Sequence, residues 1–394
     1  MWPSTRRTAL SRSLVRKRSG AAGILAAAGP LAMIAIALLG GCGEKATDRG
    51  PTGEEKVLNV YSWSTYIAPD TIDNFQKETG IKIRYDLYES NEVLEAKLLT
   101  GHTNYDIVIP SGDFFERQVK AGVFRRLDRK LLTNAANLDP EIMARLATHD
   151  PGNLHAVPYM WSATGIGYDP AQVRARLGKN FRHSWAMLLD PDNAARLKDC
   201  GISVLDAPFD VISSVMIYLG RDANSHDPRD IHAAFKVLLK IRPFVRYIDS
   251  VEYISDLANG GLCMALGWSG DVIQARDRGR ESNTGKQIVF LVPDEGGVIT
   301  VDAMAIPADA PHPLNAQLWM NYLMRPRVMA AITNAVKYPN GNLASMPYID
   351  RSIASDAGIY LDAPTRARLQ VHRAQPPDYA RTITREWTRF KTGE

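Results

Sequence analysis

Leu262-Cys263-Met264-Ala265-Leu266-Gly267-Trp268-Ser269-Gly270-Asp271 is the stretch whose reading decides the fold. It is a short apolar run that breaks into Gly-Trp-Ser-Gly-Asp. A strand buried on both faces of a parallel sheet reads as a continuous apolar run, and ligands of such sheets sit just beyond the carboxyl ends of the strands. Trp268 and Asp271 then stand at a ligand edge. An indole face and a carboxylate three residues apart suit an organic cation, through cation–π attraction and a charge-assisted hydrogen bond. A plainer reading makes Trp268 a core residue and Asp271 the cap of a helix over 272–278. On this stretch alone both readings stand.

Working outward, the chain before it alternates strand and helix signals. Positions 58–61 form a short apolar strand, 69–79 a helix closed by Gly80, and 81–85 an alternating strand. Ser90 can cap a helix running to Gly101, 105–109 is a second buried strand, and Ser111 can cap a helix ending at Gly122. This βαβαβ order predicts a parallel sheet with its ligand edge near 62–66 and near Ser111. A composition shift at 150–153, before two strand-like runs at 156–160 and 164–168, marks the first crossing between domains. Beyond it lie a strand at 203–205, helices at 211–219, 228–241 and 250–258, strands at 287–292 and 298–306, and a helix at 313–324. After a turn at 337–341 the remainder reads as helical and polar.

Composition excludes several classes. The chain has 394 residues, 45% hydrophobic and 23% charged, which is an ordinary globular makeup with room for two domains. Residues 1–41 read as an export signal: Arg6, Arg7, Arg12, Arg16, Lys17 and Arg18 precede an Ala/Leu/Ile-rich stretch that ends in Gly40-Gly41-Cys42. Without these six basic groups, 47 Lys+Arg against 43 Asp+Glu becomes 41 against 43, so the basicity belongs to the signal and argues against a nucleic-acid surface. Cys42 has the setting of a lipidated cysteine, and polar residues 42–56 read as a flexible tether. Cys200 and Cys263 are left in an oxidising compartment, where a disulfide is expected.

Searches for chemistry return little. No GxSxG, HExxH, P-loop or GxGxxG pattern occurs, the eight histidines lack metal-ligand spacing, and His149 and His155 read as solvated residues flanking a turn. No cofactor and no metal are called for. What recurs at strand ends of both domains is aromatic and acidic: Trp63, Tyr66, Asp210, Trp268 with Asp271, Asp302 and Tyr338.

Tyr61-Ser62-Trp63-Ser64-Thr65-Tyr66, Ser90-Asn91-Glu92-Val93, His149-Asp150-Pro151, Pro158-Tyr159-Met160-Trp161, Leu205-Asp206-Ala207-Pro208 and Gly267-Trp268-Ser269-Gly270-Asp271 resemble, in this order, the periplasmic polyamine-binding proteins of bacterial ABC transporters, closest to the putrescine branch. The resemblance implies an α/β type II periplasmic-binding fold, with one lobe from 57–161 and 275–345 and the other from 162–274 and 346–394. It implies a monomer, anchored to a membrane in the periplasm, that is not an enzyme and delivers a polyamine to a permease. It implies that Trp63, Ser64, Thr65, Tyr66 and Ser111 line one side of the cleft, Asp210, Trp268 and Asp271 the other, with Thr300, Asp302 and Tyr338 completing the walls. Thr65 stands where the family usually has Asp or Glu, and Thr300 where the putrescine branch often has an aromatic residue. The alternatives are another ligand in the same fold (spermidine, agmatine, an amino-acid derivative) and a thiaminase-like enzyme with Cys200 or Cys263 as a free thiolate.

The lipidation reading predicts that Cys42→Ser releases the exported protein into the soluble fraction. An unchanged membrane fraction on cell fractionation counts against it.

Overall fold

The alternating strand and helix signals are realised in the computed structural model, which describes residues 49–393. The signal 1–41, Cys42 and the first part of the tether lie outside the described residues. The strands are β1 (Val57–Trp63), β2 (Lys82–Tyr88), β3 (Ile107–Val108), β4 (Ala156–Tyr168), β5 (Ile202–Val204), β6 (Tyr247–Ile248), β7 (Met264–Trp268), β8 (Val289–Leu291), β9 (Gly297–Ala305) and β10 (Leu369–Val371). Their order is β2-β1-β3-β9-β4-β7-β5-β6, with β10 on β9 and β8 on β4.

The sheet has two parallel halves joined by an antiparallel middle. β1 pairs in parallel with β2 and β3, as the βαβαβ order predicts, and β5 pairs in parallel with β6 and β7. Between them β4 and β9 run antiparallel, from Ala156↔Ala305 to Thr164↔Val298. The two short runs expected at 156–160 and 164–168 are one continuous strand, buried along its whole length. Its register shifts between Pro158 and Trp161, where proline lacks the N–H a ladder needs. The strand is read as two because full burial on both faces removes any polar alternation.

Helix signals with a clear period are realised most closely. The expected helix at 228–241 is Pro228–Ile241, with Asp227 accepting from the Arg229 N–H and Ile231, Phe235 and Leu238 buried. Ser90 caps Asn91–Leu99 through the Val93 N–H. The C-terminal helix Pro377–Thr392 is amphipathic rather than simply polar, and it buries Tyr379, Ile383, Trp387 and Phe390.

Two expectations are corrected. Residues 49–56 are not a free tether: the Glu54 carboxylate accepts from the N–H groups of Leu314 (3.1 Å) and Asn315 (2.8 Å) at the start of the helix Pro313–Leu323, and Asn315 donates to the carbonyls of Glu55 and Val57. A polar segment can dock by satisfying a helix terminus, with no large apolar residue to signal it. β8 pairs with Ile166–Tyr168 of β4, and the helix Ser269–Glu281 packs on Glu252–Asn259. His149 is buried rather than solvated, with its Nδ1 3.2 Å from Glu116.

Glu116 is itself buried and also receives Arg373, the Ala374 N–H and Lys120. Burial works against this carboxylate, but its four donors hold its pKa far below the usual carboxylate range. The segment just after β10 is thereby fixed to the helix Gly112–Lys120.

Cys200 and Cys263 are joined, closing a separation of 63 residues with Cα atoms 5.4 Å apart. The bond staples the turn before β5 to the turn before β7. Replacing both cysteines by serine should lower unfolding stability by about 2 to 4 kcal/mol in a denaturant titration. Mass spectrometry without reductant should find the two peptides linked, and alkylation of both thiols in the native protein would refute it.

Candidate ligand-binding site

Two carboxylates held by hydroxyl groups, the buried Asp302 and the half-buried Asp271, form the centre of the site. Asp302 lies on β9 and is bridged in the backbone to Ser111. Its Oδ1 accepts from the Ser111 hydroxyl and its Oδ2 from the Tyr66 hydroxyl. Ser111 stands at the N-terminal boundary of the helix Gly112–Lys120, yet its side chain makes no cap and donates its O–H to Asp302. Burial pushes the Asp302 pKa up to about 6, against the opposing pull of the Ser111 and Tyr66 hydroxyls.

Tyr66 is fixed from two sides. Its ring meets Tyr159 and Tyr338 edge-on, with centroids 5.5 and 5.2 Å away. The Tyr159 hydroxyl donates to the Tyr66 carbonyl at 2.7 Å, which pins the turn after β1.

The second carboxylate is Asp271, in the first turn of the helix Ser269–Glu281. It does not cap that helix. Its Oδ1 accepts from Tyr338 at 2.7 Å and its Oδ2 from Tyr253 at 2.9 Å. Burial raises the pKa of Asp271, while the Tyr338 and Tyr253 hydroxyls and the more distant Arg278 lower it. Tyr338 reaches Asp271 by lying across Gly270, where a β-carbon would come within 2.0 Å of the ring atom Cε2. Only glycine leaves room for that approach. Trp268, half-buried, closes β7 immediately before, and the Ser269 hydroxyl accepts from the Ala163 N–H, tying the start of the helix to β4.

The remaining expected residues are less closely joined. Trp63 ends β1, half-buried, with its indole N–H donating to the Ile109 carbonyl at 3.0 Å and its ring tilted on Tyr88. Ser64 and Thr65 form the exposed turn that follows, and Thr65 has φ +52°. Asp210 sits in the first turn of the helix Pro208–Tyr218, accepting from Thr164 of β4 at 2.9 Å. Thr300 is half-buried on β9, its methyl 3.5 Å from the place a β-carbon on Gly112 would take. The structure thus links Tyr66, Ser111, Asp302, Tyr338, Asp271 and Trp268 in one network. Trp63, Ser64, Thr65, Asp210 and Thr300 stand outside its hydrogen bonds.

Sequence reading missed Tyr253, Tyr159 and Thr164. Tyr253 falls on the apolar phase of its helix and Tyr159 in a buried strand, so both look like core; only their hydroxyl partners, distant in sequence, distinguish them. Among the described residues no cluster of His, Cys, Asp and Glu could hold a metal ion.

Comparison with known proteins agrees with this architecture. Residues 70–358 match the bacterial extracellular solute-binding protein family. The chain is 48% identical over 343 residues to the putrescine-binding periplasmic protein PotF of Escherichia coli K12, covering 86% of this chain and 93% of that one. It is 45% identical over 342 residues to the putrescine-binding periplasmic protein SpuD of Pseudomonas aeruginosa UCBPP-PA14, with the same coverage. The solved spermidine/putrescine substrate-binding protein PotD of Streptococcus pneumoniae superposes with a TM-score of 0.74 over 86% of this chain and 99% of that one, at 24% identity, which bears on the fold. The resemblance read from the motifs holds, and the chain belongs to the family of bacterial extracellular solute-binding proteins.

Proposed function

We infer that the protein captures a linear polyamine, putrescine foremost, in the periplasm and hands it to the permease of an ABC transporter. The observation that carries this reading is the pair Asp271 and Asp302: all four hydrogen bonds they accept come from neutral hydroxyls. A buried carboxylate without a cation is costly, and a diamine brings two ammonium groups with a methylene chain that suits the aromatic walls of Tyr66, Tyr338 and Trp268. The names of the relatives support the same ligand class and compartment.

The reading carries further parts. The protein acts by binding rather than catalysis; the joined Cys200 and Cys263 offer no free thiol for the thiaminase-like alternative. Lobe closure about β4 and β9 encloses the ligand, with one lobe built on β1–β3 and the other on β5–β8. In that division Tyr338 belongs to the first lobe and Asp271 to the second, so their hydrogen bond forms on closure. Ser64, Thr65, Asp210 and Thr300 then line the cleft's rim. Lipid attachment at Cys42 and a monomeric state complete the proposal.

The raised pKa of Asp302 fixes the sign of a pH effect. In the ligand-free protein the native state holds this proton up to about pH 6, whereas an unfolded aspartate loses it near 4. The group therefore makes the fold less stable as pH rises through that window, and a bound ammonium removes the penalty. Calorimetry should show putrescine affinity level at neutral pH and falling by up to about tenfold per unit below pH 6, with proton release on binding. Asp302→Asn should abolish that dependence along with most of the affinity; a flat profile in the parent protein sinks the assignment.

Thr65 supplies a second test. A β-branched residue at φ +52° is strained, by on the order of 1 kcal/mol or more, whereas Asn and Asp tolerate this region. Thr65→Asn should therefore stabilise the fold without tightening putrescine. Thr65→Asp should do both, with a gain in affinity of about tenfold that fades at high salt. Equal affinities for the two variants would mean that position 65 does not face an ammonium.

A further inference from the structure

Tyr253 has a side chain that is wholly buried. Its ring passes beneath the end of β7, where Gly267 leaves the space: a β-carbon there would lie 2.6 Å from Cε2 of the tyrosine and 3.1 Å from its hydroxyl oxygen. The hydroxyl emerges beside the site. It donates to Asp271 Oδ2 at 2.9 Å and accepts from the Trp268 N–H at 3.3 Å. One oxygen atom thereby fixes both the carboxylate and the backbone that carries the indole.

We propose that Tyr253 is the positioning residue of the site, setting the rotamer of Asp271 and the place of Trp268 before any ligand arrives. The inference rests on the polyamine reading of the site and concerns how that site is prepared. Two features of the surroundings support it. Tyr253 and Asp271 lie on the helices Glu252–Asn259 and Ser269–Glu281, which pack directly on each other, so this hydrogen bond does not depend on the other half of the molecule. Tyr338, the second partner of Asp271, comes from the far side of the site and packs against a different apolar cluster. When Tyr338 is withdrawn, Tyr253 is the hydroxyl that still holds the carboxylate in place.

Burial, then Asp271 and Tyr338, keep the Tyr253 hydroxyl protonated far beyond neutral pH, so it acts as a donor at every relevant pH. The charged and titratable groups facing Asp271 are Tyr253, Tyr338 and, at longer range, Arg278. Removing the Tyr253 donor leaves the carboxylate with less compensation for burial, which favours its protonated form.

The test is Tyr253→Phe, which keeps the ring against Gly267 and removes only the oxygen. Carboxyl-carbon NMR of the ligand-free full-length protein, with Asp271 assigned by Asp271→Asn, should show its titration midpoint rise by about one unit. Calorimetry with putrescine should show an affinity loss of about tenfold in the parent background and none in the Asp271→Asn background. A midpoint that stays put or falls, or an equal loss in both backgrounds, overturns the proposal. A parent protein that binds no diamine would defeat the polyamine reading alone, because the NMR midpoint still decides the role of Tyr253.

Discussion

The antiparallel pairing of β4 with β9 is the interaction on which the rest depends. β4 is buried along all thirteen of its residues and pairs with β9 from Ala156 to Thr164, and the other strands are added to either side of this pair. Backbone groups at that depth have no water to turn to, so the ladder must be kept whole. Asp302 projects from β9, Thr164 from β4 holds Asp210, and the Ala163 N–H of β4 anchors the start of the helix that carries Asp271. A single pair of strands therefore sets the spacing of the two acidic groups. Loops alone would not fix that spacing so firmly.

The acidic groups themselves are kept under tension. Each is surrounded by tyrosine and serine hydroxyls and not by lysine or arginine, which elsewhere pair readily with carboxylates, as Arg117 does with Glu95 and Asp113. Hydroxyl donors orient a carboxylate without neutralising it, so the site retains a demand for positive charge. Glu116 shows the contrasting arrangement in the same molecule. It is buried, but with Arg373 and Lys120 as partners it is satisfied and has no such demand.

How much of this was legible in the sequence depended on range. Pro228–Ile241 was legible because its cap, its proline and its apolar period are all local. β4 reads as two strands because full burial erases the pattern that would join them. The candidate residues were found mostly by the resemblance and by their types at strand ends, but their roles were not readable. Asp271 could equally cap its helix until Tyr253 and Tyr338, 18 and 67 positions away, were seen on its two oxygens. Asp302 has partners 236 and 191 positions away. No periodicity carries information over such separations. Residues 49–56 failed for a related reason: Glu54 finds its helix terminus 260 positions on.

That last contact has a mechanical meaning. The chain enters the folded body at the clasp of Glu54 and Asn315, which locks it to the helix Pro313–Leu323 and to the first residues of β1. A pull on the N-terminal end is received by that helix and by the edge of the sheet formed by β1 and β2, far along the chain from the β4–β9 crossing. The clasp thus shares any such load between the helix and the sheet, two elements that are far apart in the chain.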